Sequence, residues 1–261
     1  MEMHRMALEQ LADEVGDGAV IGVGGAGLQR KPMAALAALV AAGRRDLKVV
    51  SFLGSVDVEL LLAADSVAEL HSAGVSLDGG GLAPLYRAAR QDGSIRFHEW
   101  SEGTLLCALQ ATARGVPSLP TWMALNTDLP NINERLRVGA DPFTGDPVVN
   151  VRGLAVDVAL LHVPGVDLEG NVYVDGDLAL DGALARAADR TIVCYEQVVE
   201  ADPSRAALSR LWVDAVVPAP EGAWPTGCHA RYGADLDAVV RWASGGKRGE
   251  VSLLTRESSP A

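Results

Sequence analysis

Apolar and polar residues in the first part of the chain follow two alternating patterns. Apolar residues in 8–15 recur at helical spacing, and the Gly-Asp-Gly turn at 16–18 ends that helix. A short apolar strand at 19–23 then runs into glycines, and an alanine-rich helix follows at 31–43. A second apolar run at 47–53 completes a β-α-β unit, whose two strands we expect to be parallel.

The same alternation continues to the end of the chain. Strands are predicted at 67–75, 94–99, 156–163, 190–194 and 212–217, and helices at 84–90, 102–114 and 180–188. Ser101 has the position of an N-cap for the helix that begins at Glu102, and Gly115 ends that helix. These elements predict an α/β fold with a mostly parallel sheet covered by helices, forming one domain over 1–245 with a tail at 246–261.

The stretch 116–150 differs from the rest of the chain. It holds five prolines and shows no clear periodicity, which indicates a long irregular segment. Segments of this kind are often binding loops or interface arms. We therefore expect 116–150 to contact a ligand or another chain.

Composition narrows the range of partners. The formal net charge of −12 repels nucleic acid and anionic lipid, so we expect neither as a partner. The longest apolar stretch, 33–42, is far shorter than the ~20 residues that cross a bilayer. The three cysteines and the histidines have no metal-ligand spacing, so we expect a cytoplasmic protein without a bound metal or resident cofactor.

The glycine-rich segment 22–27 is the first candidate for chemistry. Missing β-carbons at the mouth of a helix let backbone N–H groups face a ligand, which favours an anion or oxyanion cradle. The same letters fit a dinucleotide fingerprint, but the second strand does not end in the acidic residue that a ribose requires. A tight turn that packs the strand on the helix is the remaining alternative.

The surrounding residues resemble a known family. Segment 17–32 is similar to the first signature of the class I coenzyme A transferases, in which an acidic-glycine turn and an apolar strand lead to Gly-Gly-Phe and a later proline. The matching residues are Asp17, Gly18, Gly24, Gly25 and Pro32, whereas Ala26 replaces the aromatic residue and Arg30 stands where many members have glycine. Further likeness at 74–77, 115–120, 169–171, 225–228 and Tyr232 extends over most of 16–240, and the Arg-Lys-Pro-Met run is similar to the α chain of glutaconate CoA-transferase.

This resemblance implies the CoA-transferase (NagB/RpiA-like) fold, a coenzyme A thioester as substrate, and a site made of specific residues. Glu102 aligns with an active-site glutamate of the branch that cleaves rings of steroid-derived acyl-CoAs hydrolytically, although its position also suits simple pairing with the helix dipole. The oxyanion or substrate-binding residues would be Gly24, Gly25, Ala26 and Ser76, with Arg30 as a weaker candidate. Glu196, at the end of a predicted strand, is a second weak candidate, because strand ends hold ligands in open α/β sheets.

The implied function is that of the α subunit of a two-chain enzyme. In the family, the separately encoded β subunit supplies a glutamate that attacks the thioester, and two chains of each kind commonly form an α₂β₂ heterotetramer. We expect CoA transfer from an acyl-CoA to a carboxylate. The alternatives are hydrolysis of a carbon–carbon bond or decarboxylation of an acyl-CoA with Glu102 as acid/base, and a non-catalytic acyl-CoA-binding subunit.

Overall fold

A computed structural model describes residues 3–254 of the chain. In this described part of the chain, thirteen strands form one large sheet and two small ones. In chain order they are β1 (Val20–Val23), β2 (Leu47–Ser51), β3 (Leu53–Gly54), β4 (Val67–Ser72), β5 (Gly74–Val75), β6 (Arg96–Glu99), β7 (Ser118–Thr121), β8 (Leu136–Ala140), β9 (Pro147–Arg152), β10 (Val156–Val166), β11 (Val172–Tyr173), β12 (Ala188–Val198) and β13 (Ala215–Pro218).

The large sheet contains seven parallel strands in the order β13-β12-β10-β1-β2-β4-β6, with β11 antiparallel to β10. β1 lies in the middle and pairs in parallel with β2, as the first β-α-β unit predicts. This arrangement confirms the mostly parallel sheet expected from the sequence. Parallel strands are covered on both faces, which explains why they read as continuous apolar runs.

Eight α-helices connect and cover the strands of the described residues. They are α1 (Leu8–Leu11), α2 (Met33–Ala41), α3 (Val56–Ala63), α4 (Pro84–Asp92), α5 (Glu102–Ala113), α6 (Leu129–Ile132), α7 (Asp181–Ala187) and α8 (Leu236–Gly245). Successive strand residues point to opposite sides: Val49 belongs to the core under α2, α3, α4 and α8, and Val50 to the core under α5 and α7. The result is a three-layer domain.

The prediction of an irregular segment at 116–150 is wrong in part. This stretch contains β7, β8 and most of β9, which form a separate antiparallel sheet in the order β7-β9-β8. One face of the sheet is buried through Leu136, Val149 and Val151. Prolines obscured the pattern: Pro120 lies in edge strand β7 and Pro147 at the start of β9, positions where a missing N–H costs little.

Three helices of the described residues have no counterpart among the predicted elements: the short α6 within 116–150, α3 and α8. α3 is buried along its whole length, so its sequence has no polar stripe to mark a helix. α8 lies near the end of the predicted domain, and the chain beyond it still contacts the body: Gly249 donates to the carbonyl of Ala63, and Arg248 pairs with Asp65. The boundary at 245 stays a prediction, and 255–261 lie outside the described residues. No described helix has the length and hydropathy to traverse a bilayer.

Candidate functional site

The predicted site residues lie along one edge of the large sheet. The glycine segment follows β1, Ser76 follows β5, and Glu102 comes after β6, so all of them follow the carboxyl ends of parallel strands. Glu196 lies near the carboxyl end of β12 on the other side of β1. Open α/β sheets bind ligands at this edge. β1 and β6 are separated by three strand spacings, roughly 14 Å, so this edge is broad enough for an extended ligand.

The glycine segment is a tight turn whose amides are used inside the chain. The N–H of Gly24 donates to Leu160 O at 2.9 Å, that of Gly25 to Asp181 Oδ1 at 2.8 Å, and that of Ala26 to Gln29 O at 3.1 Å. The structure thus corrects the picture of outward-facing amides and agrees with the alternative of a packed turn. A role for Gly24, Gly25 and Ala26 in holding a substrate oxygen stays a prediction that requires this turn to open.

Glycine is needed at both central positions of this turn. Gly24 lies so close to the next strand that a Cβ would approach Leu161 Cδ2 to 2.7 Å. Gly25 has a φ of +71°, and a Cβ there would be 2.2 Å from Gln29 O. The glycines therefore serve close backbone packing, whatever else they contribute.

Arg30 holds the turn from the side of α7. Its guanidinium is buried, pairs with Asp181 and donates to Asp177 O at 2.7 Å. Arg30 also has a φ of +53°, a left-handed conformation that costs free energy in a residue with a side chain. These contacts make Arg30 a clamp on the glycine turn, and its predicted contact with substrate stays a prediction.

Lys31 forms a second buried clamp, which the sequence did not single out. Its Nζ lies 3.2 Å from Asp57 Oδ2, 3.0 Å from Ser51 Oγ and 3.5 Å from Gly25 O. Both Lys31 and Asp57 are 0% exposed. The ammonium therefore lies beneath the turn and contacts the carbonyl of its central glycine. The available signal was a basic pair before Pro32 together with an acid just after the second strand.

Ser76 is exposed and connects to the glycine turn through Asp78. The Ser76 N–H donates to Gly54 O, and its Oγ accepts from the N–H of Asp78 at 3.0 Å. The Asp78 carboxylate in turn accepts from the N–H of Leu28 at 3.3 Å. The structure thus places the exposed Ser76 next to the buried glycine turn.

Glu102 is exposed at the first turn of α5. The Ser101 Oγ accepts from the N–H of Thr104 at 3.2 Å, and the Thr104 Oγ1 accepts from the N–H of Ser101 at 3.0 Å, which confirms the predicted N-cap. The carboxylate of Glu102 lies at the positive end of the helix dipole. Within residues 3–254, no hydrogen bond or ion pair links Glu102 to Ser76 or to the glycine turn. The carboxylate is positioned by its backbone and open to solvent.

Glu196 lies in a buried polar cluster. Its carboxylate accepts from Tyr232 Oη at 2.6 Å and from the N–H of Glu221 at 2.7 Å, and it contacts His162 Nε2 at 2.6 Å. Burial alone would raise the pKa of Glu196, but these hydrogen bonds outweigh it and hold that pKa below its ordinary value. The carboxylate is therefore ionised and fully occupied, which favours an anchor for the 221–232 segment over a group that meets substrate.

Within residues 3–254, two side-chain groups have the dimensions of a metal site, which the sequence spacing did not suggest. Ligand atoms lie within 4.8 Å of one another in Glu69, His71 and His98, and again in His162, Glu196 and Cys228. Burial raises the pKa of Cys228 to about 12, so the thiolate that binds metals is disfavoured there. His71 Nδ1 accepts the N–H of Trp100 at 3.2 Å, which commits that nitrogen. Neither donor set is well suited to an ion.

The chain matches the family model described as "Coenzyme A transferase" over residues 4–219. The chain belongs to the coenzyme A transferase family. Its relatives carry out more than one reaction. The cholesterol ring-cleaving hydrolase IpdA subunit of Rhodococcus jostii (strain RHA1) is 33% identical over 93% of this chain and 87% of its own length.

Solved structures of the family share the whole fold. The structure of a variant of the decarboxylase AibA/AibB matches with a TM-score of 0.86 at 34% identity, covering 94% of each chain. The glutaconate coenzyme A-transferase of Acidaminococcus fermentans matches with a TM-score of 0.87 at 26% identity, covering 94% of this chain and 85% of that one. These matches confirm the fold and the family expected from the glycine segment. Members of the family are enzymes that use CoA thioesters as substrates, and several relatives are named as one subunit of a larger enzyme.

Proposed function

We propose that the chain is the α subunit of a two-chain enzyme that acts on a carbon–carbon bond of an acyl-CoA thioester, with Glu102 as acid/base. The carrying observation is the open carboxylate of Glu102 at the start of α5, on the ligand-binding edge of the sheet. Identity supports this branch: the ring-cleaving hydrolase and the decarboxylase are 33% and 34% identical, whereas glutaconate CoA-transferase is 26% identical.

The chemistry assigned to Glu102 is proton transfer. For hydrolysis, the carboxylate takes a proton from water as the water oxygen adds to a ketone carbonyl of the acyl chain. The bond between that carbon and the carbon next to the thioester then breaks, and its electron pair stays on the latter carbon as an enolate. Glu102 returns its proton to the enolate carbon. In a decarboxylation, carbon dioxide leaves instead of the water-derived acid, and Glu102 in its protonated form gives its proton to the same carbon and is then reprotonated from water.

The site needs a second chain. Glu102 is exposed to solvent on this chain. Bulk water must be excluded from around an enolate so that the proton returns to the correct atom. We infer a separately encoded B-type (β) chain as the cover and α₂β₂ as the assembly. All three cysteines are free of disulfides, which supports the cytoplasm as the compartment.

Replacement of Glu102 with glutamine tests the assignment. In the complex with the B-type chain, Glu102→Gln is expected to lower kcat by at least about a hundredfold while the complex stays assembled, because the amide cannot take a proton. Glu99→Gln, a half-exposed glutamate that pairs with Arg90 nearby, is the matched control and is expected to change kcat less than about twofold. A loss below about tenfold for Glu102→Gln would contradict the role of Glu102.

CoA transfer is the second candidate function, and the TM-score of 0.87 with glutaconate coenzyme A-transferase supports it. In that reaction a glutamate of the B-type chain forms a covalent thioester with CoA. Trapping with borohydride or hydroxylamine after incubation with acyl-CoA separates the two: a glutamyl adduct indicates transfer, and turnover without an adduct indicates carbon–carbon chemistry. Acyl-CoA binding without turnover or adduct would indicate the non-catalytic binding subunit.

A further inference from the structure

The antiparallel sheet β7-β9-β8 has one face turned away from the core. Residues directly across from each other share a face, and Pro120 and Arg137 both lie opposite Asn150. Val149 and Val151, on the other face, are fully buried. We call the side opposite Val149 and Val151 the outer face; it carries the exposed residues Pro120, Arg137 and Arg152, the exposed Trp122 just after β7, and the largely buried Val148.

Large apolar groups are exposed at one end of the outer face. Trp122 is 76% exposed, and Phe143 is 94% exposed at the tip of the β8–β9 hairpin. Trp122 and Val148 line a cavity of about 340 Å³ that also contacts Asp141 and Thr144. Clustered exposed aromatic groups beside an apolar cavity mark an interaction site, and tryptophan is among the residues that dominate binding energy in interfaces.

Arginines crowd the other end of the outer face. Arg137 and Arg152 are exposed and form no ion pair within the described part of the chain. The pKa of Arg135 is lowered, first by burial and then by the charge of Arg152, so these like charges repel one another. In a chain with a net charge of −12, this positive end, where Arg137 and Arg152 form no ion pair of their own among the described residues, favours acidic groups on whatever covers it.

The outer face borders the candidate site. The Met123 side chain lies directly on Gly103, so close that a Cβ on Gly103 would be 2.0 Å from Met123 Sδ. Gly103 follows Glu102, and Met123 follows Trp122. A chain that covers Trp122 therefore lies beside the start of α5, where Glu102 is exposed.

We propose that the outer face is the docking surface for the B-type chain, which inserts a large apolar side chain into the Trp122 cavity and places carboxylates opposite Arg137 and Arg152. This inference rests on the proposed function, because it takes the partner from it. A second copy of this chain is disfavoured as the occupant, because no group of this chain is assigned to complete the site around Glu102. The B-type chain both supplies the cover and completes the site.

Binding of the co-expressed B-type chain from the same genome, measured by sedimentation without substrate, tests the proposal. Trp122→Glu is expected to weaken the complex at least thirtyfold, because loss of a central aromatic anchor typically lowers the affinity of an interface by about that factor. Arg137→Glu with Arg152→Glu is expected to weaken it about tenfold and to remove most of its salt dependence. Leu211→Glu is the control at a site 81% exposed, near the opposite edge of the large sheet, and is expected to change affinity less than about twofold.

Three results would overturn the docking surface. They are an unchanged affinity for Trp122→Glu, the absence of any complex with the B-type chain, and a dimer of this chain alone that Trp122→Glu dissolves and the B-type chain does not displace. The thermal unfolding of each variant alone shows that it is folded, and Trp122 is exposed enough to be replaced without loss of core. The binding measurement does not depend on turnover. If the parent complex forms and Trp122→Glu abolishes it, but a separate assay finds the parent complex inactive toward acyl-CoA, the docking surface is supported and the proposed function is rejected.

Discussion

Two buried ion pairs, Arg30 with Asp181 and Lys31 with Asp57, determine the conformation of the glycine turn. A charge removed from water is tolerated only when it is paired and hydrogen-bonded. Lys31 contacts a carboxylate, a hydroxyl and the Gly25 carbonyl, so its three N–H groups are all used. The glycine turn is therefore rigid, because the surrounding residues offer the buried charges of Arg30 and Lys31 no alternative partner.

Replacement of Lys31 with methionine is expected to lower the free energy of unfolding by about 3–5 kcal/mol, because Asp57 would remain as a buried, uncompensated charge. Chemical denaturation measures this change. Lys48→Met is the surface control: Lys48 lies 3.7 Å from Glu69 and is 43% exposed, so its loss is expected to cost less than about 1 kcal/mol. Equal losses in the two variants would show that the buried pair has no special weight. Asp57→Asn in the Lys31→Met background is expected to restore part of the loss.

At the scale of elements, α5 places the candidate acid/base. Ser101 and Thr104 form a reciprocal cap, and the buried residues Leu105 and Leu109 fasten the helix to the core beneath the antiparallel sheet. The cap and the core contacts determine where the helix begins, and so where Glu102 stands. The backbone that carries the exposed Glu102 carboxylate is therefore held in place by the core.

Ser101→Ala is expected to destabilise the protein by about 1 kcal/mol, since the Thr104 N–H loses its acceptor. For a chain of this size the melting temperature should fall by about 2–4 °C, which scanning calorimetry measures. Ser244→Ala in the last turn of α8, where the hydroxyl is exposed and donates to Val240 O, should shift the free energy by less than about 0.5 kcal/mol. An unchanged melting temperature for Ser101→Ala would mean that the cap does not hold this helix start.

The whole molecule carries a buried histidine pair that links its stability to pH. His71 on β4 stacks on His98 on β6, with ring centroids 4.1 Å apart. Burial, and next the charge of His98, lower the pKa of His71 to about 2. Below pH 6.5, the ordinary pKa of histidine, His71 is therefore protonated in the unfolded chain but stays neutral in the folded chain. Stability falls as the pH drops below that value and is retained above it.

Between about pH 6.5 and 5.0, His71 is expected to reduce the free energy of unfolding by about 2 kcal/mol. His71→Gln should remove this part of the slope while lowering stability near neutral pH, where the neutral imidazole packs against His98 and Trp100. Urea denaturation at several pH values measures the difference between variant and parent, in which the other titrating groups cancel. Parallel curves for the two proteins would contradict a neutral, buried His71.

Local sequence alone determined the parallel sheet, the family and the cap at Ser101. Each of these features lies within a short stretch of sequence: apolar runs between glycines, the signature at 17–32, and an N-cap residue before a helical face. The tertiary structure decided what distant residues do: the pairing of Arg30 with Asp181 joins positions 151 residues apart, and it consumes the space around the Gly25 amide where the motif predicted a ligand. The antiparallel sheet was hidden because prolines interrupt its strands and because its buried face exists only where the sheet packs on α5. Short-range steric and capping preferences can be read from the order of residues, whereas burial and charge pairing exist only once the chain has brought its distant parts together.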